Sequence, residues 1–285
     1  MRVGFITFES WHEREQIGSS RIRARWVANA WPEAEIYQPG QKYDVEIYQK
    51  VYWQRHMNHN NPAIKILDIC DPDWAERPDN AYFREIVENF DAVTAPTEQF
   101  RKFFNKLLPK MPFKVIPDRL DLSQYKQKKI HKGDAKSVVW FGYAQNVNVI
   151  RQAVPTLRQL KLKCMIISND MRLMVAKRDA EMFNFVKYDE NTINQNLIKH
   201  GDIALLPSHK TNDGDTPYNA MFKSDNKVGN AQALGLPVAV NAESLEFYMK
   251  EENRKKTAEE GWEWVKAHRD VNQSVVEYKE LIETL

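Results

Sequence analysis

Along the whole chain, short runs of β-branched, aromatic and aliphatic residues alternate with longer stretches whose apolar positions recur every three or four residues. That alternation predicts repeated β-α units and a parallel sheet. In the first half the predicted strands cover 3–8, 45–49, 65–69, 92–95 and 114–116, with helices over 21–30, 81–89 and 98–108. The last helix opens on Thr97 as a candidate N-cap and sets Phe100, Phe103, Phe104, Leu107 and Leu108 on one face. The second half restarts the pattern, with strands over 138–141, 163–167, 183–186, 203–206 and 237–240 and helices over 147–160, 172–182, 192–199 and 227–234.

Two tandem β-α series are more economical than one ten-stranded sheet, and the polar, lysine-rich stretch 123–136 reads as the linker between them. The expected architecture is therefore α/β, two doubly wound Rossmann-like domains facing across a cleft. The first covers 1–122 and the second 137–250, with C-terminal helices over 251–285 packing back on the first domain. Val271, Val275, Tyr278, Ile282 and Leu285 form a single apolar stripe there, which must dock on something.

Composition narrows the class. With 285 residues, 42% of them hydrophobic, the chain has the balance of a globular protein. No apolar run is long enough to span a membrane, and Glu9 arrives too early for a signal peptide, so no membrane partner and a cytoplasmic location are expected. Cys70 and Cys164 are the only cysteines, which leaves neither a disulfide framework nor a thiolate metal site, and the histidines show no paired ligand spacing. Cys70 reads as an inert buried thiol. The net charge of +2 is unevenly spread, because residues 101–136 carry eleven lysines and arginines against three aspartates. Such a run is either a solvated face or a surface that attracts a polyanion.

In open parallel sheets ligands sit beyond the carboxyl ends of strands, which singles out Glu9, Asp71, Gly142, Ser168, Lys187 and Ser208. No glycine-rich dinucleotide turn, P-loop or nucleophile elbow stands at any of them, which disfavours dinucleotide oxidoreductases, P-loop phosphotransferases and serine hydrolases. The most informative stretch is Lys223-Ser224-Asp225-Asn226-Lys227, followed by Asn230 and closed by Ala233-Leu234-Gly235-Leu236-Pro237-Val238. A polar cap starts a helix, Gly235 stops it and Pro237 begins a strand. The exposed amides at that helix start, with Lys223 and Lys227, suit a diphosphate.

This stretch resembles the Lys-x-x-Asn-Lys/Arg…Ala-x-Gly-x-Pro-Val signature of nucleotide-sugar glycosyltransferases of the GT-B fold. Other pieces follow in the order of that family. Gly18-Ser19-Ser20-Arg21-Ile22-Arg23 is similar to the opening of its first helix, Asp68-Ile69-Cys70-Asp71-Pro72-Asp73 to an acidic turn after a middle strand, and Trp140-Phe141-Gly142 to the start of its second domain. The resemblance implies transfer of a sugar from a nucleoside diphosphate, with a UDP-sugar as the expected co-substrate, no permanently bound cofactor and no metal. It assigns donor binding to Gly142, Lys187, Lys210, Lys223, Asn226, Lys227 and Asn230, acceptor binding to Ser19, Arg21 and Arg23, and the catalytic base to Asp71, Asp73 or Glu9, with Asp71 favoured. There is one departure. Phe222 and Asn230 stand where retaining members carry two glutamates, which puts retention of anomeric configuration in doubt.

The acceptor stays open at this level. The short chain with its basic run resembles compact bacteriophage enzymes that glycosylate hydroxymethylated pyrimidines in DNA, and a saccharide or small-molecule acceptor is the alternative. Asp71-Pro72-Asp73 also has the metal-binding form of GT-A enzymes, a reading that gives the second β-α series no task. A noncatalytic nucleotide- or nucleic-acid-binding protein is the remaining class, with Trp11, Trp26, Trp53 and Trp74 as stacking candidates. Oligomeric state is not legible.

Overall fold

A computed structural model describes residues 1–11, 16–52, 62–72, 80–207 and 218–285. Strand β1 (Val3–Thr7) is second from one edge of the first sheet, flanked by β2 (Ala34–Ile36) on one side and β3 (Val45–Gln49) on the other. Beyond β3 come β4 (Ile64–Asp68), β5 (Ala92–Ala95) and β6 (Phe113–Val115), giving the order β2-β1-β3-β4-β5-β6. Every pairing is parallel, with registers such as Val3↔Val45 and Gln49↔Asp68. All residues of β1, β3 and β5 are buried, as a parallel sheet covered on both faces requires. β2 is absent from the sequence-based expectation, because Ala-Glu-Ile is a half-buried three-residue edge strand with almost no apolar run to detect.

This sheet belongs to a unit made of Met1–Asp121, Thr211–Asp225 and Arg269–Leu285. Helix Val271–Ile282 docks here, with Val271, Val275, Tyr278 and Leu281 buried; Leu281 rather than Ile282 completes the apolar stripe, and Leu285 is exposed. Tyr278 packs 6.3 Å from Trp31 and 6.0 Å from Phe5, ring to ring. The first helical stretch begins at Gly18, earlier than its apolar pattern predicts, and passes through a π-helical turn at Arg21–Arg25. Thr97 does occupy the N-cap position of helix Glu98–Leu107, yet its side chain makes no capping bond.

The second unit holds Leu122–Lys210 and Asn226–His268. Its strands are β7 (Ser137–Phe141), β8 (Lys163–Ser168), β9 (Phe183–Lys187), β10 (Ile203–Leu205) and β11 (Val238–Ala239), in the parallel order β11-β10-β7-β8-β9. The expected grouping of 251–285 is thereby split, since helix Glu251–His268 lies in this unit and the residues after it in the other. Two helices also differ from expectation. Pro155 lacks an amide proton and starts a new helix at Val154–Gln159, leaving Ala144–Ala153 as a 3-10 segment. Over 172–182 only Lys177–Met182 is helical, because Asp170 accepts from the Met171 amide and Arg172, and Asn148 accepts from the Met174 amide. Helix Asn226–Ala233 ends as its glycine predicts: Gly235 has φ +71°, its amide donates to Gln232 O, and the Leu236 amide donates to Ala231 O, a Schellman arrangement.

Candidate functional site

In the second unit the chain runs from β7 outward to β8 and β9, then returns to the other side of β7 for β10 and β11. The carboxyl ends of β7 and β10 thus flank a reversal of strand order, where a doubly wound sheet opens a ligand crevice. Gly142 follows the last residue of β7 with φ +153°, a conformation that favours glycine. A Cβ at this position would stand 2.5 Å from Lys227 Nζ and 3.2 Å from Trp140 Cη2. Lys227 belongs to the first turn of helix Asn226–Ala233, and its ammonium lies 5.2 Å from the centroid of the buried Trp140 ring. An amino group over an indole face, at the positive end of a helix and beside a side-chain-free backbone turn, concentrates positive charge of the kind that attracts an anion.

The fold therefore brings Gly142 and Lys227 together, with Asn226 beside Lys227 in the same turn. Asn230 is on this helix but turned inward: it is buried, its Oδ1 accepts from the Tyr125 hydroxyl, and its Nδ2 donates to Asn226 O at 2.7 Å. Lys187 ends β9, two strands away from β7, opposite Ser168 of β8. Lys223 is exposed and precedes the helix in a segment of the first unit. Lys210 and Asp73 lie outside the described residues, as do Ser208, Trp53 and Trp74. Phe222 is a core residue of the first unit, 1% exposed and packed edge-on against Phe100 at 5.0 Å.

The first unit has a strand-order reversal of its own, between β1 and β3. Ser20 Oγ donates to Gln49 Oε1 at 2.8 Å, the Glu9 amide donates back to Ser20 Oγ, and the Phe8 amide donates to the same Gln49 oxygen. Glu9 is a brace here, with Oε1 accepting from the Ile17 amide at 3.0 Å and Oε2 3.5 Å from Arg25. Lys50, just past β3, holds φ +56°, a strained conformation for a residue with a side chain. Its Nζ pairs with Asp71 Oδ2 at 2.7 Å and lies over the Phe8 ring. Asp71 is thus tied to a lysine that sequence reasoning passed over, although a basic residue directly after a strand was the available signal. Burial, reinforced by Asp71, pushes the Cys70 thiol well above its ordinary range, which fits an inert thiol.

Arg23, expected at the acceptor, is 3% exposed and fully engaged inside the unit. It grips Asp68 with Nε and Nη2 at 2.8 and 2.6 Å, and reaches Asp118 and the Ile116 carbonyl with Nη1. Burial opposes its charge, but the two carboxylates outweigh burial and raise its pKa. Asp118 also accepts from Ser224, and Arg269 binds both the Asp118 carbonyl and Asp225. Arg21 and Ser19 occupy the first turns of the helical stretch; the Arg21 guanidinium lies 5.1 Å over Trp26.

The basic run is partly neutralised by tertiary partners. Arg101 pairs with Glu98, Lys114 with Glu280, Arg119 with Glu277 and Lys129 with Asp202. No helix among the described residues is long and apolar enough to cross a membrane.

No protein-family profile matches the chain, and no curated protein matches it in sequence. Solved structures do match. Anabaena HepE in complex with UDP aligns over 100% of both chains with a TM-score of 0.67 at 11% identity. WaaG, a glycosyltransferase involved in lipopolysaccharide biosynthesis, covers 98% of this chain and 99% of its own with a TM-score of 0.59 at 12% identity. The T4 phage β-glucosyltransferase covers 99% of each chain with a TM-score of 0.55 at 11% identity. At such identities the likeness is one of architecture: the chain has the two parallel-sheet α/β units of the GT-B glycosyltransferase fold.

Proposed function

We propose that the protein is a glycosyltransferase that takes a sugar from a nucleoside diphosphate, a UDP-sugar being the expected donor, and passes it to an acceptor hydroxyl. The observation that carries this reading is the meeting of Lys227, Trp140 and Gly142 at the β7/β10 reversal, beside a helix start. In the reaction the bond between the sugar and the diphosphate breaks, and charge builds on the departing phosphate. Lys227 and the amides of the Asn226 turn would stabilise that charge without any protein-bound cofactor. Lys187, Lys210 and Lys223 are further donor contacts in this reading, and Asn230 acts through Tyr125 and Asn226 rather than on the nucleotide. Asp71, with its carboxylate 45% exposed beside Lys50, is the favoured acceptor base over Asp73, and Glu9 supports it by fixing the β1 end. The acceptor reading is a hydroxymethylated pyrimidine in DNA, with a saccharide hydroxyl as the alternative.

The test is release of nucleoside diphosphate from a panel of nucleotide sugars, with EDTA or Mn2+, in the presence and absence of DNA containing 5-hydroxymethylcytosine. Release that survives EDTA, requires the modified DNA and disappears in Lys227→Ala supports the whole reading. Release independent of DNA moves the acceptor to saccharides. Tight binding of every donor without release overturns the transferase and leaves a nucleotide-binding protein.

A further inference from the structure

Subtracting the neutralised members from the basic run leaves a pattern that the sequence count conceals. On helix Glu98–Leu107, Lys102 and Lys106 are exposed and one turn apart, and Lys110 follows at the same interval from the turn beyond the helix. Lys102 and Lys106, four apart within the helix, share one face with Cβ atoms roughly 6 Å apart, and Lys110 adds an exposed ammonium just beyond the helix end. None of the three has an acidic partner among the described residues. Glu98, one turn before Lys102 on the same helix, is already committed to Arg101. The opposite face of the helix is fixed in the core through Phe100 and Phe104, at 0% and 1% exposure, so the lysine row cannot rotate inward.

We propose that this row is a docking surface for the phosphate backbone of duplex nucleic acid. Uncompensated ammonium groups on one helix face and just past its end complement the charge of a polyanion, and release of its counterions provides the driving force. An anionic membrane would need apolar side chains among the lysines, and no large hydrophobic between 98 and 113 is exposed. The proposal deepens the DNA half of the acceptor reading above but concerns binding alone, so it can hold or fail without sugar transfer.

The experiment measures affinity of the full chain for an unmodified 24-base-pair duplex by fluorescence anisotropy across a salt series. It compares wild type with Lys102→Gln/Lys106→Gln/Lys110→Gln and with the control Lys126→Gln/Lys132→Gln/Lys136→Gln, and adds vesicles of phosphatidylcholine and phosphatidylserine as a competitor. The row variant is expected to lose at least tenfold in affinity near 0.1 M salt, with its log K against log salt slope flattened by about 2 to 3, close to one unit per lost phosphate contact. The control keeps the wild-type slope, and UDP binding is unchanged in both variants. Equal losses in the two triple variants, absence of duplex binding, or displacement of the duplex by vesicles would each overturn the proposal. A retained slope difference in a protein that releases no nucleotide from any sugar donor would sink the transferase reading and leave the docking surface standing.

Discussion

The ammonium of Lys227 stands 2.5 Å from the point where a side chain at position 142 would begin, so Gly142 and Lys227 occupy one space between them. Gly142→Ala therefore has two effects: it strains a backbone at φ +153° and it displaces the lysine from the Trp140 face. The expected outcome is a UDP affinity at least tenfold lower by titration calorimetry, with a retained far-ultraviolet spectrum. Unchanged affinity would show that the lysine is not held where the nucleotide binds.

Arg23 neutralises Asp68 and Asp118 in a place that water does not reach. Arg23→Ala leaves two buried carboxylates unpaired and is expected to cost about 3–5 kcal/mol in urea unfolding, whereas Arg23→Lys loses less because it keeps the charge while giving up the two-pronged grip. A loss below about 1 kcal/mol in the alanine variant would contradict a bracing role.

His131 gives the fold an acid-sensitive point. Its Nε2 meets the Gly235 carbonyl at 2.8 Å and its Nδ1 accepts from Arg254 Nε at 3.3 Å, a pattern that needs the neutral ring. Burial, with Arg254 adding to it against the Gly235 bond, lowers its pKa below the usual value. The unfolded chain then takes up a proton near pH 6.5 that the folded chain refuses, so stability falls as pH drops below about 6.5 and levels off below the folded value. Above pH 7 this residue contributes no pH dependence. Chemical unfolding of wild type and His131→Gln at pH 7.5, 6.5 and 5.5 should show a steeper acid loss in wild type, and parallel curves would refute the assignment.

Lys50 carries its side chain on a backbone that prefers glycine. Lys50→Gly removes that strain and the Asp71 pair together, and is expected to leave thermal stability within a few degrees while reducing transfer at least tenfold at saturating donor. UDP affinity should not change, because Lys50 belongs to the first unit and the Lys227 cluster to the second. A fall in UDP affinity matching the fall in transfer would remove Lys50 from the acceptor side.

The parallel sheets were legible because buried strands of this kind read as short, largely apolar or β-branched runs, continuous over 138–141 of β7 and interrupted by the buried Glu46 and Gln49 in β3. What escaped was set by single contacts that leave no periodic trace. β2 is too short to show a pattern, and the helix expected over 172–182 was undone in its first part by Asp170 and Asn148 side chains bonding to nearby amides. At the site, Gly142 and Lys227 could be named from residue type and position. Trp140, whose ring shelves the lysine, reads in the sequence as one more core aromatic, and Lys50 as one more strand-end lysine. The inward turn of Asn230 and Arg23 depends on partners 105 and 45 residues away, Tyr125 and Asp68, which no local pattern announces.

Tyr278 closes onto Asp68 across 210 residues of chain. On the ribosome, synthesis at about 5–20 residues per second would make the six-stranded sheet long before its last covering helix emerges, while the second unit has all of its segments by His268. The unit begun before the other is thus completed after it. Its buried Asp68 and Arg23 pass through translation beneath an apolar face that lacks its lid, a window in which chaperone binding or premature termination would have their largest effect. A chain stopped before Val271 would therefore be expected to yield a second unit with its full complement of segments and a first unit without its closing helix.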